Sequence, residues 1–245
     1  MRALLSIYSW LWMSFVLLVN FCAVVLVGAV TIPFDRGRYA VGRVARFIGS
    51  CAARGNPLWR FGWSGPRPAN PRKPYVVVSN HESNFDPFLL SYLPFEMKYL
   101  SKKALFRIPV FGWSMRIVGD IPVDRGDRES RGRSLDGCKR VLANRVSVLI
   151  FPEGTRSRTP EMLPFRQGAF RLAVEAGVDV LPVGLAGTRD ALPKGTWLIS
   201  PARAHVRLGE PISTAGLTVD DVPALTERVR ATIEALRAEA RDKCA

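Results

Sequence analysis

An α/β fold, with a mostly parallel or mixed sheet flanked by helices and an N-terminal membrane-associated helical segment in front of it, is predicted by three features of this sequence. After residue 75, short apolar runs alternate with stretches of helical period, the order of elements in α/β domains. The runs are apolar at nearly every position, as strands buried on both faces are. Ahead of them, positions 3–34 carry no charged residue at all.

The uncharged N-terminus includes "FVLLVNFCAVVLVGAV". It is about twice the 7–15 apolar residues of a secretory signal and longer than the roughly 20 that span a bilayer. A soluble helix normally shows a polar face, and this one shows none. It reads as a membrane helix that stays. Residues 35–73 then hold nine Arg/Lys against one acid, Asp35. The positive-inside tendency places this flank and the chain beyond it on the cytoplasmic side, at the inner membrane in a bacterium. "RYAVGRVARFIGSCAARGNPLWRFGW" mixes arginine with apolar residues as an interfacial segment does, with Trp59, Phe61 and Trp63 expected at the lipid boundary. A solvated basic linker is the alternative reading.

The proline-rich "PRPANPRKP" (66–74) marks a boundary, so residues 1–65 are expected to form the membrane helix and basic segment and 66–245 the α/β domain. Strands are expected at "YVVVS" (75–79), "VSVLIF" (146–151), "VDVLPVGLA" (178–186) and "AHVRLG" (204–209). Helical patterns run through Leu135, Cys138, Val141 and Leu142, through "FRQGAFRLAVEAG", and through Leu225, Val229, Ile233 and Leu236. Thr218 and Asp221 have the spacing of a capping box before the last of these.

A chain of 245 residues, 48% hydrophobic, is long enough for a substantial core. Thirty-five basic against 21 acidic residues give a net charge of +14, which favours anionic lipid, phosphorylated substrates or nucleic acid. The basic residues gather beside the membrane segment and no nucleic-acid motif occurs, which sets nucleic acid aside. The four cysteines are scattered without a C-x-x-C pair, consistent with a reduced compartment and against a disulfide framework or thiolate zinc site.

Ligands of α/β domains collect beyond the carboxyl ends of strands, and two polar clusters sit there. "NHESNFD" follows the first strand. Asp86, followed by Pro87, has the form of a helix N-cap, which leaves His81 in a capped turn. The same carboxylate, folded back, can orient the imidazole as a general base. A metal site has too few ligands here, and no G-x-S-x-G elbow supplies a serine nucleophile. The base therefore activates a hydroxyl of the substrate. His205 lies in a strand outside every cluster and reads as structural.

"FPEGTRSR" (151–158) places Glu153, Gly154, Thr155, Arg156 and Arg158 at a second strand end, where glycine lets backbone N–H groups approach a ligand and arginine suits phosphate. "GDIPVDR" adds Arg125, and "SKKALF" adds Lys102 and Lys103. Each cluster alone is compatible with a solvated turn.

With "NHESNFD", "GDIPVDR", "FPEGTRSR" and "LPVGLAG" in that order over roughly residues 75–215, the chain resembles the glycerophospholipid acyltransferase family. The resemblance implies acyl transfer from a coenzyme A or acyl-carrier-protein thioester to the hydroxyl of a lysophospholipid, with lysophosphatidic acid expected and phosphatidic acid the product. No cofactor or metal is implied beyond the thioester co-substrate. By the same resemblance His81 is the base and Asp86 orients it. Arg125, Glu153, Gly154, Thr155 and Arg156 hold the glycerol-phosphate end. Pro182 borders the apolar side. Lys103 matches a lysine near the phosphate, although Ala104 stands where an acid is common. Another lysolipid acceptor, or a non-catalytic lipid-binding role for the same scaffold, are the alternatives.

Overall fold

Seven strands among the described residues form one sheet in the order β1-β7-β6-β2-β5-β3-β4, parallel throughout except where β6 meets β7. They are β1 (Trp59–Ser64), β2 (Val76–Ser79), β3 (Met97–Lys102), β4 (Ile121–Val123), β5 (Ser147–Ile150), β6 (Val180–Ala186) and β7 (Ala202–Leu208). The structure, a computed structural model, describes residues 2–124, 126–157, 159–192 and 196–244. The four expected strands are β2, β5, β6 and β7, and the first three of these form the centre of the sheet. β2, β5 and β6 are buried along their whole length, which is why they read as unbroken apolar runs.

Side chains alternate between the two faces, as the period of a strand requires. Val76 and Val78 face α5 (Arg128–Ala143), α6 (Gly168–Ala176) and α7 (Val222–Asp242), where Cys138, Leu142, Phe170, Val229 and Ile233 close the core. Val77 and Leu149 face α3 (Asp86–Leu90) through Leu89 and Leu90. The capping box forms as expected: Thr218 N–H donates to Asp221 at 2.8 Å, ahead of a short 3₁₀ turn that leads into α7.

Three strands were not foreseen. The aromatics expected at the lipid boundary belong to β1, which pairs with β7. Trp59 is buried against Phe85 and stacked on Phe61, and Trp63 packs on the sheet core. β3 was masked by Lys98, a charged residue that is buried because Nζ donates to Glu96 at 2.9 Å and to the Arg38 carbonyl at 2.8 Å. β4 is three residues long and interrupted by Pro122, which suits an edge strand. Arg46 of α2 (Tyr39–Arg54) donates to Asp120 at 2.7 Å, and Asp120 also accepts the Tyr99 N–H at 2.9 Å, so α2 is bonded to β3 and to the residue before β4.

The helix α1 (Arg2–Thr31) is the one helix among the described residues long and apolar enough to cross a membrane. It does not stand off the domain. Near its start, Ser6 and Trp10 bond the backbone of Ile199 and Trp197. Trp12 bonds Ala52 of α2. Near its end, Val24 is buried with Val41 and Val118, and Gly28 lies so close to Ile117 of α4 (Phe111–Val118) that an added Cβ would stand 3.0 Å from it. Ser6 and Ser9 point inward, while Leu4, Leu11, Phe15, Leu18, Leu26 and Val30 point out.

Candidate active site

The site begins at the carboxyl end of β2, the strand flanked by β5 and β6. Asn80 locks the chain to β6: its amide donates to the Leu185 carbonyl and accepts the Leu185 N–H, both at 2.9 Å. The next residue is locked to the turn after β5, where His81 N–H donates to Glu153 Oε1 at 2.8 Å and the Ser157 N–H donates to the His81 carbonyl at 3.2 Å. The histidine backbone is thus held from both sides before its side chain does anything.

The imidazole lies on the Phe151 ring, with centroids 4.1 Å apart and planes 17° from parallel. Its Nδ1 is 2.6 Å from Asp86 Oδ2. Asp86 is wholly buried and opens α3, but its carboxylate does not cap that helix. It turns backward, accepting N–H groups from Glu82 at 2.8 Å and Ser83 at 3.1 Å, and the hydroxyl of Thr188. The expected N-cap is therefore corrected: the carboxylate stabilises the loop before the helix, since those N–H groups lie within its reach. These three donors fix it as an acceptor, which assigns the Nδ1–H tautomer to His81 and leaves Nε2 with its lone pair. The His81 side chain keeps 16% of its surface exposed, while Asp86 behind it has none.

Glu153 was expected at the phosphate. Both its oxygens are taken by backbone, the His81 N–H on one and the Leu163 N–H at 2.9 Å on the other. Burial pushes its carboxyl above the ordinary range, and these two N–H groups pull it back. It holds two loops together. Gly154 does sit at an exposed turn, with φ of 73° and the Arg166 side chain so near that an added Cβ would stand 3.0 Å from Nε. Thr155 and Arg156 are exposed beside it. Arg125 and Arg158 lie outside the described residues. Lys103 opens the turn after β3 and lines a separate groove that includes neither His81 nor residues 153–156. Pro182 is buried within β6, its carbonyl accepting the Gly209 N–H at 3.0 Å.

Sequence reasoning missed Asn80, Glu82, Thr188, Arg166 and Arg237. Arg237 of α7 donates to Glu82 and also to the Pro160 carbonyl. Thr188 is 102 positions from its carboxylate partner, a separation that no spacing rule registers. The second histidine serves the sheet edge: His205 Nε2 is 2.8 Å from Ser64 Oγ on β1.

The family model described as Acyltransferase matches residues 60–186, a stretch that holds His81, Asp86, Glu153, Arg156 and Pro182. A 1-acyl-sn-glycerol-3-phosphate acyltransferase of Chlamydomonas reinhardtii is 35% identical over 191 residues, covering 78% of this chain and 57% of that protein. The alpha 1-acyl-sn-glycerol-3-phosphate acyltransferase of Mus musculus is 40% identical over 165 residues, 65% of this chain and 57% of the mouse protein. The chain thus spans little more than half the length of these curated relatives. The crystal structure of the 1-acyl-sn-glycerophosphate (LPA) acyltransferase from Thermotoga maritima superposes with a TM-score of 0.78 at 25% identity, covering 99% of this chain and 97% of that one.

Proposed function

The chain belongs to the acyltransferase family, and we propose that it transfers a fatty acyl group from a coenzyme A or acyl-carrier-protein thioester to the free hydroxyl of lysophosphatidic acid, giving phosphatidic acid. The observation that carries this reading is the 2.6 Å contact between His81 Nδ1 and the buried Asp86 carboxylate, which leaves Nε2 as the proton acceptor. Nε2 takes the proton of the acceptor hydroxyl as its oxygen attacks the thioester carbonyl. The tetrahedral intermediate collapses, the C–S bond breaks, and the leaving thiolate takes the proton back from Nε2. Asp86 stabilises the imidazolium formed between these steps. A thioester is activated enough that one positioned base suffices without a covalent enzyme intermediate.

In this reading Arg156, Arg125 and the Thr155 N–H hold the phosphate, and Arg166, drawn over Gly154, joins them, while Lys103 lies in the separate groove. Glu153 positions His81 and Leu163 without touching substrate. Pro182 contributes to the apolar side. The helix α1, bonded to the domain near its start and packed on it near its end with its apolar stripe outward, lies along one leaflet. The nine basic residues that follow it favour a seat on the cytoplasmic leaflet.

Purified full chain assayed with both donor types against a panel of lysolipids tests the proposal. Turnover of lysophosphatidic acid is expected, and its absence alongside turnover of another lysolipid would overturn the assigned acceptor. No turnover of any acceptor would overturn the reaction.

A further inference from the structure

We infer that a groove along the β4 edge is a second phosphate-binding site, separate from His81, and that it takes the headgroup of an anionic phospholipid. The groove encloses about 540 Å³ between α5, the start of β4 and the loop joining α1 to α2. Arg36, Arg38, Lys98, Lys103, Arg133 and Arg140 line it, against a single lining acid, Asp120. That acid is committed to Arg46, Lys98 to Glu96, and Arg133 to Glu129 and Asp127. Arg36, Lys103 and Arg140 have no acidic partner among the described residues, so the groove keeps a surplus of positive charge. β4 is separated from β2 by β3 and β5, which puts it about 14 Å from the strand that carries His81.

The wall nearest α1 is built. Gly37 approaches the end of α5 so closely that an added Cβ would stand 2.9 Å from Val146 and 3.1 Å from the Asn144 carbonyl. Arg38 is held at φ 52°, a conformation residues other than glycine seldom adopt. Its guanidinium donates to the Arg116 and Ile117 carbonyls, and its own carbonyl accepts Lys98 Nζ. The loop that carries Arg36 is thereby fixed to both sides of the groove.

The rim identifies the ligand. Phe34 is 90% exposed, two residues before Arg36, and Val30 is 70% exposed one turn earlier. They extend the outward stripe of α1 up to the point where the cationic lining begins. Apolar contact followed by phosphate contact is the depth order of a phospholipid seated in a leaflet. Free phosphate or a nucleotide has no use for the apolar rim. The inference rests on the membrane seat of α1 proposed above and not on the acyl-transfer reaction.

Flotation of the full chain with vesicles of phosphatidylcholine alone, and with phosphatidylcholine containing phosphatidylglycerol, separates the two. Binding to neutral vesicles reports the α1 seat, and the excess binding to anionic vesicles reports the groove. Each basic residue at an anionic surface contributes about fivefold, so Arg36→Glu with Arg140→Glu is expected to lower the anionic excess at least about tenfold. Neutral-vesicle binding and turnover in neutral micelles stay as in the wild type. Arg228→Glu with Arg241→Glu, an equal change of charge on exposed positions of α7, keeps most of the excess. Three results overturn the site: an excess that survives the groove variant, an equal loss in the α7 variant, or soluble coenzyme A being what the wild type binds and the groove variant loses.

Discussion

Arg237 donates from Nε and Nη2 to one oxygen of Glu82, at 3.0 and 2.8 Å, and so ties α7 to the residue directly after His81 across 155 positions of sequence. Both side chains are largely buried. Burial pushes the Glu82 carboxyl above its ordinary range, and Arg237 pulls it back. Arg237→Met strands that carboxylate and is expected to cost about 3–5 kcal/mol in urea unfolding, most of it recovered when Glu82→Gln is added. A single variant as stable as the wild type would show that the pair does not hold the loop.

His81→Ala removes the proposed base and is expected to lower turnover about 10²–10⁴-fold while vesicle binding is unchanged. Asp86→Asn is expected to lower turnover and melting temperature together, because Asn offers one oxygen where Asp86 serves four donors. A non-catalytic lipid binder predicts no loss of function from His81→Ala.

Thr188→Val keeps shape and deletes the hydroxyl that donates to Asp86. The carboxylate then loses a buried donor, at an expected cost of about 1–3 kcal/mol. Thr188→Ser, which keeps the hydroxyl, is expected to recover most of the turnover. Equal activity in the Val and Ser variants would remove Thr188 from the positioning of Asp86.

Thermal unfolding is expected to carry a signature of His205. Burial first, then Lys243 and Arg207, hold its imidazole below the ordinary value. The folded state thus binds this proton less tightly than the unfolded chain, whose histidine titrates near 6.5. Between the folded pKa and about 6.5 unfolding takes up a proton, so stability rises with pH through that window and this contribution is flat above it. Comparing melting temperatures across that range for the wild type and His205→Asn should show a shallower slope in the variant.

A helix seated along one leaflet has both ends on the same side. Cysteine placed at Arg2 and at Arg36, exposed charged residues at the start of the helix and beyond its end, in a chain whose four native cysteines are replaced, should react with an impermeant thiol reagent from the same face of sealed vesicles. Reaction from opposite faces would mean that α1 spans.

Much of the fold was legible because β2, β5 and β6 are buried on both faces and therefore read as apolar runs. β1 also carried a signal, since Trp59, Phe61 and Trp63 alternate with Arg60, Gly62 and Ser64. Arginine and tryptophan suggested an interface, and the alternation of a strand went unused. β3 was hidden by Lys98, whose burial depends on Glu96 and on a carbonyl 60 positions away. In the site, His81 and Asp86 were legible because they are five apart. Asn80, Thr188 and Arg237 were not, since their partners come together only when the sheet closes. The backward turn of the Asp86 carboxylate was equally invisible, because Asp-Pro begins a helix whichever way the side chain points.

The inward face of α1 has a practical consequence for making the protein. Trp10 and Met13 pack against the cluster of Trp59, Phe85 and Ile199, and Val24 completes the small one with Val41 and Val118. Deleting residues 2–31 to obtain a water-soluble fragment would strip an outer wall from the domain and bare the tryptophan that anchors β1. Such a fragment should aggregate where the intact chain in detergent does not. Solubility is better sought by placing polar residues on the outward stripe at Leu11, Phe15 and Leu18, which leaves the inward serines and valines in contact with the domain.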